Sequence, residues 1–220
     1  GILVVSGATA GLIPAIRELG VPVLEEVGSP TMFRISDRSA PHNLYADTEL
    51  VREYIDSRGF LFNQDVNPLY NFGTDQNNWT PGANRVTIKY SEKTTVIWKL
   101  DTDQYSRFIA DGYAPNTDAV AHNFITRDGY EDILQSPTIV VIQGPLYNDE
   151  ATTLPSVLTV GVGPVTIFHG GNYVEGTWRR NDISDPFEFL DTNQNKIDVP
   201  PSKQWIHLLP LNGEITISDN

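Results

Sequence analysis

The sequence predicts an α+β protein in which a small α/β part with two helices precedes a mainly antiparallel β domain. Helical apolar spacing occurs at residues 10–19 and 47–57, whereas strand-like alternation dominates from Arg85 onward. The 17 glycines and 15 prolines divide the 220 residues with frequent turns. We therefore expect more strand than helix, with residues 1–83 forming the N-terminal part and residues 84–220 the β-rich domain.

The N-terminal part begins with a β-α-β pattern. Residues 2–5 are an apolar run typical of a buried strand, residues 10–19 have helical spacing before Gly20, and residues 21–27 form a second strand. A four-residue apolar strand needs both faces covered. We therefore expect residues 2–5 to lie in or near the interior of a sheet. Their neighbouring strand would come from residues outside this chain or from another copy.

A second helix and a turn-rich segment follow. The helix is expected from Asp47 or Thr48 to Ser57, with acidic residues in its first turn and Arg58 at its end. Residues 63–84 are rich in Asn, Asp, Gly and Pro. This composition predicts a domain junction or a long surface loop.

The rest of the chain has the alternation of antiparallel strands. Val86, Ile88 and Tyr90 alternate with polar residues, and the pattern resumes after residues 91–93, which predicts a hairpin. Further strands are expected at residues 139–142, 165–167, 173–174, 187–189, 197–199, 205–208 and 215–217. Residues 139–142 are apolar throughout, which indicates a fully buried strand. His207 alternates with apolar neighbours, and we expect it to face solvent.

Composition excludes several classes of function. The chain has 15 Lys and Arg against 28 Asp and Glu, a net charge of −13, so we expect no nucleic-acid partner and no attraction to an anionic membrane surface. The absence of cysteine excludes disulfides, thiolate nucleophiles and Cys-ligated metals. No apolar run approaches the ~20 residues of a transmembrane helix, so we expect this chain to be soluble.

The best candidate site lies between the two predicted helices. Two guanidiniums suit a carboxylate or phosphate, an imidazole can act as acid or base near neutrality, and an amide and a phenol add hydrogen-bond donors. These candidate residues are Arg34, Asp37, Arg38, His42, Asn43 and Tyr45. The alternative is structural: the arginines pair with carboxylates such as Asp37, while His42 and Asn43 satisfy backbone groups.

A second candidate is an aromatic platform for a sugar ring or a peptide. Trp178 and Arg179 follow Tyr173 and precede Arg180, and Trp205 belongs to a later predicted strand. Packing of alternate strand residues in a core explains the same pattern, and we favour that explanation for the whole stretch.

We expect no metal and no cofactor. Asp191, Asn193 and Asn195 match the first half of an EF-hand loop, but Lys196 replaces its turn glycine and Ser202 its closing glutamate. A hairpin turn explains these residues better.

Two motifs resemble a known family. They are APHNLY at residues 40–45 and EGTW at residues 175–178, with Tyr90, Trp98, Asp101, Tyr105 and Arg107 in matching order. Over residues 1–210 the chain resembles the YerB-like family of bacterial lipoproteins, a two-part domain of unknown function. The family's Gly-x-x-His-x-Asp element after Arg107 is missing, and the histidine here comes later, at His122.

The resemblance implies an extracytoplasmic protein that is held at the membrane by a lipid anchor outside this chain. It implies no reaction. Our first hypothesis is a binding or scaffold module of the cell envelope, whose ligand or partner protein is unknown. The alternative is a cell-wall or glycan-acting hydrolase or transferase, with His42 as acid or base and Arg34 and Arg38 holding an anionic group. The sequence leaves the choice between binding and catalysis open.

Overall fold

The computed structural model describes residues 2–8, 11–40, 43–60, 68–111, 119–126, 129–148 and 155–219. These residues form 20 strands and two helices, which confirms the broad α+β class and the excess of strand. The described residues divide into two compact units, one within residues 2–60 and the other within residues 68–148 and 155–219. Residues 68–83, assigned from the sequence to the N-terminal part, therefore belong to the second unit.

The first unit has two small sheets and both helices. Its elements are β1 (Leu3–Val5), α1 (Leu12–Glu18), β2 (Val23–Glu25), β3 (Met32–Arg34), β4 (Leu44–Ala46) and α2 (Thr48–Ser57). β1 pairs with β2 in parallel, and β3 pairs with β4 antiparallel. Helix α2 begins where expected because the Asp47 carboxylate accepts hydrogen bonds from the backbone N–H groups of Glu49 and Leu50 at 2.8 and 3.3 Å.

The prediction that the first strand is buried was wrong for the described residues. Leu3 and Val4 each remain 37% exposed. The physical reason is the small sheet, since β1 has β2 as its partner and the pair is the whole of that sheet in the described part of the chain. That a strand from outside this chain covers β1 stays a prediction.

The second unit contains the remaining strands. They are β5 (Thr80–Pro81), β6 (Arg85–Ser91), β7 (Thr94–Asp101), β8 (Gln104–Asp111), β9 (Val120–Ala121), β10 (Asn123–Ile125), β11 (Glu131–Ile133), β12 (Gln135–Ser136), β13 (Thr138–Gly144), β14 (Leu146–Asn148), β15 (Pro155–Val157), β16 (Gly161–His169), β17 (Asn172–Arg180), β18 (Glu188–Leu190), β19 (Gln204–Pro210) and β20 (Glu214–Ser218). The predicted hairpins β6–β7 and β16–β17 are confirmed.

Two larger sheets share an apolar core. One has the order β12-β8-β7-β6-β20 and the other β18-β17-β16-β13-β19, with the β13–β19 pair parallel. Val86 and Trp98 of the first sheet lie in one buried cluster with Ile139, Val141 and Phe168 of the second. The sheets therefore pack face to face, as in a β-sandwich.

The second sheet is covered on its other face as well. Val140 and Ile142 lie in a separate buried cluster with Tyr70, Phe187 and Val199. Burial on both faces explains why residues 139–142 are apolar without alternation and fully buried, as predicted.

Residues 69–72, which lie within the segment 63–84 that was predicted as a junction or surface loop, are part of this cover. The backbone N–H of Phe187 donates to the Leu69 carbonyl at 2.7 Å, and that of Val199 donates to the Asn71 carbonyl at 3.0 Å. Tyr70 and Phe72 form bridges to Phe187 and Val199. Residues 69–72 are therefore structural, because their backbone extends the covering layer.

Among the described residues, neither helix has the length and apolar character needed to span a bilayer.

Candidate functional site

In the first unit the structure gives Arg34 a fixed partner. Its Nε and Nη2 donate to the two carboxylate oxygens of Glu26 at 2.7 and 3.0 Å, and Nη1 donates to Oδ1 of Asn43 at 2.6 Å. The Asn43 amide in turn donates to the Ile35 carbonyl at 3.0 Å. Hydrogen bonds from Arg34 and Ser6 hold the pKa of Glu26 below its ordinary value. An anionic ligand would have to displace Glu26 from the guanidinium.

Two other described candidates, Tyr45 and Asp37, make their contacts with other residues than Arg34. Tyr45 stacks on Phe33 with ring centroids 6.2 Å apart, and the Asp37 carboxylate accepts from the Ser36 hydroxyl at 3.1 Å. Arg38 is engaged with another residue as well. His42 lies outside the described residues. Among the described residues, the cluster brings Arg34 and Asn43 together with Glu26, an acidic residue that the sequence pattern did not indicate.

The second candidate, the platform around Trp178 and Arg179, divides between two faces of β17. Trp178 is 1% exposed, and its indole N–H donates to the Gln143 carbonyl at 2.7 Å. Gly163 makes room for the indole, since a Cβ there would lie 2.6 Å from Trp178 Nε1. Arg179 lies on the other face of β17, where its Nε donates to Oε2 of Glu188 at 3.0 Å. Trp178 is therefore a core residue and offers no exposed ring face.

His207 is buried, and the prediction that it faces solvent was wrong. The side chain is 2% exposed, and Nε2 accepts a hydrogen bond from the indole N–H of Trp98 at 2.9 Å. Because an indole nitrogen only donates, the proton of the neutral imidazole sits on Nδ1, which donates to the Tyr90 hydroxyl at 2.6 Å. Burial, together with the nearby Arg107, lowers the pKa of His207 to about 3. Burial raises the pKa of Tyr90 to about 12.

Arg107 completes this group, and sequence reasoning assigned it no role. Its guanidinium carbon lies 4.7 Å from the centroid of a Trp205 ring and 5.9 Å from that of a Trp98 ring. Nη1 donates to Nδ1 of His122. Within the described residues its buried Nε has no hydrogen-bond partner. Desolvation lowers the pKa of Arg107. The aromatic faces partly compensate this half-buried cation.

A cleft of about 290 Å³ lies on the second unit, between residues 75–79 and the turn at residues 191–198. Trp79 lines the cleft and also packs against the buried cluster below the second sheet. The polar side chains in its walls are carboxylates and amides, together with Lys196. They include Asp75, Asn77, Asn78, Asn195 and Asp198. No pattern in the sequence pointed to this site, because its two walls are separated by more than 100 residues.

Some cleft side chains are committed to the turns that carry them. Asp191 Oδ1 accepts from the backbone N–H groups of Asn193 and Asn195 at 2.8 Å each, and Oδ2 accepts from the Asn195 side-chain amide at 3.0 Å. These hydrogen bonds lower the pKa of Asp191, and the hydrogen bond from the Asn195 side chain has the largest effect. The hairpin-turn interpretation of this loop is confirmed. The Nζ atom of Lys196 lies 3.7 Å from Oε1 of Glu188.

Two carboxylates keep free acceptor capacity in the cleft. Asp75 uses Oδ1 to accept from the backbone N–H of Asn77 at 3.0 Å. Asp198 lies against Gly73, where a Cβ would meet Asp198 Oδ2 at 2.6 Å. Within the described ranges, no hydrogen bond or ion pair holds the Asp198 carboxylate. The same part of the chain holds no group of three or more His, Asp or Glu side chains arranged for a metal ion.

The fold and motifs place the chain in one family. Residues 86–206 match the family described as protein of unknown function (DUF3048), C-terminal domain, and since this is more than half of the chain, the chain belongs to that family. The crystal structure of the YerB protein from Bacillus subtilis matches with a TM-score of 0.72 at 17% sequence identity, covering 98% of this chain and 70% of that chain. The YerB-like resemblance of the motifs is thus confirmed, and the structural likeness shows a shared fold. No curated protein matches this chain.

Proposed function

We propose that this chain is the extracytoplasmic part of a lipid-anchored cell-envelope protein and that it acts by binding. The location rests on the resemblance of its motifs to the YerB-like lipoproteins. The binding role rests on one observation, the Trp79 cleft with its aromatic wall and unengaged polar groups. Small-molecule sites are concave, combine apolar surface with a few polar groups, and occupy about 300–1,000 Å³. The cleft, at about 290 Å³, lies at the lower limit of this range.

The glycan-acting enzyme has less support in the described residues. One of its two proposed anion holders, Arg34, has all three guanidinium nitrogens engaged by Glu26 and Asn43. In the Trp79 cleft, by contrast, Asp198 and one oxygen of Asp75 can accept new hydrogen bonds without breaking an existing one. The charge of −13 also disfavours a nucleic-acid ligand for either site.

The binding role is tested by sedimenting the purified chain with isolated bacterial cell walls. Trp79→Ala should reduce the bound fraction about tenfold, because the aromatic wall of the cleft is lost. Tyr130→Ala is the matched control, since Tyr130 is an aromatic residue of the same unit that is 74% exposed and does not line the cleft. Equal binding by the parent and by Trp79→Ala would reject the cleft as the binding site.

The location is tested separately in cells that produce the full natural protein. We expect it in the membrane fraction and expect protease added to protoplasts to degrade it. Recovery in the cytosolic fraction, protected from protease, would reject the envelope assignment.

A further inference from the structure

We infer that the Trp79 cleft binds an uncharged saccharide. This inference rests on the proposed function, because it names the class of ligand for the same site. It combines three properties of the cleft: a rigid aromatic wall, amide side chains that both donate and accept, and an excess of negative charge.

The aromatic wall is held in place by the core. Trp79 packs against the cluster that contains Val174 and Ile197, and both of these residues also line the cleft. The backbone N–H of Trp79 donates to the Gln76 carbonyl at 3.0 Å, which fixes the turn that carries it. A rigid indole can take the apolar face of a sugar ring with little loss of side-chain entropy.

The polar walls match the hydroxyl groups of a sugar. A hydroxyl donates one hydrogen bond and accepts others, and an amide side chain offers both a donor and an acceptor. Asn77 and Asn78 supply amides on one wall, and Asn195 supplies the second wall, where its Nδ2 already donates to Asp191 and its Oδ1 remains. The Asp198 carboxylate adds a strong acceptor for hydroxyl donors.

The charge of the cleft selects against anionic ligands. Three carboxylates, those of Asp75, Asp191 and Asp198, line it together with one cation. That cation, Lys196, lies within ion-pair distance of Glu188 and is partly neutralised by it. A uronic acid or a phosphorylated sugar would therefore meet net repulsion, which the overall charge of −13 increases. The small volume also favours one or two ring units over an extended peptide.

Isothermal titration of the whole chain with matched oligosaccharides tests the inference. The probes are hexamers of N-acetylglucosamine and of glucose, the anionic hexamer of galacturonic acid, and an uncharged hexapeptide. We expect saturable binding of at least one neutral hexamer. The galacturonate hexamer and the peptide should bind at least about tenfold more weakly.

Two cleft variants and one control locate the binding. Trp79→Ala should weaken neutral-sugar binding at least about tenfold, and Trp79→Phe should keep part of it, because a smaller aromatic face remains. Asp198→Asn, which is nearly isosteric, should weaken the neutral sugar by about tenfold and reduce the discrimination against galacturonate. Tyr130→Ala should bind as the parent does. Unfolding curves of each variant show whether a loss of binding reflects a loss of fold.

The outcomes separate this inference from the proposed function. If cell walls bind through Trp79 but galacturonate or the peptide binds as tightly as the neutral sugars, the saccharide inference fails and the binding role stands. Failure of all neutral hexamers to bind, with wall binding intact, also overturns the inference. If the walls do not bind either, the proposed function fails with it.

Discussion

Replacing His207 by glutamine should remove much of the acid sensitivity of the second unit. In the folded chain the imidazole is buried and neutral, accepting from Trp98 and donating to Tyr90, with its pKa lowered to about 3. The unfolded chain has a histidine pKa of about 6.5. Between these two values the unfolded state binds the extra proton. Stability is therefore highest above pH 6.5 and falls as the pH falls toward 3.

The size of this effect follows from the proton difference. Each pH unit between the two pKa values costs about 1.4 kcal/mol of unfolding free energy, so lowering the pH from 6.5 to 4.5 removes about 2–3 kcal/mol. In His207→Gln the amide can still accept from Trp98 and donate to Tyr90, but it does not titrate. The variant should therefore lose about 2–3 kcal/mol less than the parent over this interval.

Urea unfolding followed by tryptophan fluorescence at several pH values measures this difference. All four tryptophans, Trp79, Trp98, Trp178 and Trp205, belong to the second unit, so the signal reports its unfolding. Other groups with lowered pKa, such as Glu188, Asp191 and His169, also contribute acid sensitivity, but they are the same in both proteins and cancel in the comparison. Equal pH slopes for parent and variant between pH 4.5 and 6.5 would show that His207 does not carry this acid sensitivity.

Three further changes test the packing. Trp178→Ala should cost about 3–5 kcal/mol of unfolding free energy, as expected for a large buried aromatic, and an effect below 1 kcal/mol in urea would contradict its place in the core. Gly163→Ala should lower the melting temperature, because the new Cβ would lie 2.3 Å from the Gln143 carbonyl oxygen and 2.6 Å from Trp178 Nε1; an unchanged melting curve would show that the two strands can separate freely. Asp47→Ala should cost about 1 kcal/mol and reduce the helical signal of α2, whereas Asp47→Ser should be nearly neutral; equal loss in both would argue against the cap.

Local patterns determined the elements whose cause is local. The N-terminus of α2 was predictable because Asp47 bonds to N–H groups only two and three residues away. The β6–β7 and β16–β17 hairpins were predictable because alternation and turn residues lie within one short segment. The turn of the β16–β17 hairpin needs a left-handed backbone at Gly170 and Gly171, with φ of +55° and +79°. Glycine adopts this conformation without strain, so the two residues signal the turn locally.

Local patterns did not determine which face of a strand is buried. Around His207, the alternation of residues 205–209 leaves apolar side chains on both faces, and the structure exposes 37% of Ile206 and 44% of Leu208 while burying Leu209. A period of two separates the two faces but does not say which one lies inside. That choice was made by Trp98 and Tyr90, which supply hydrogen-bond partners from strands more than 100 residues away.

The family, the residue types and the strand-rich class of this protein could be read from patterns along the chain. Which side chains meet depends on how the elements pack. Arg34 meets Glu26, eight residues earlier in the chain, across the connection between β2 and β3. The Trp79 cleft exists because residues 75–79 and 191–198 pack side by side over the second sheet. Contacts between distant segments depend on how the sheets are stacked and aligned, and no pattern within a single segment contains that information.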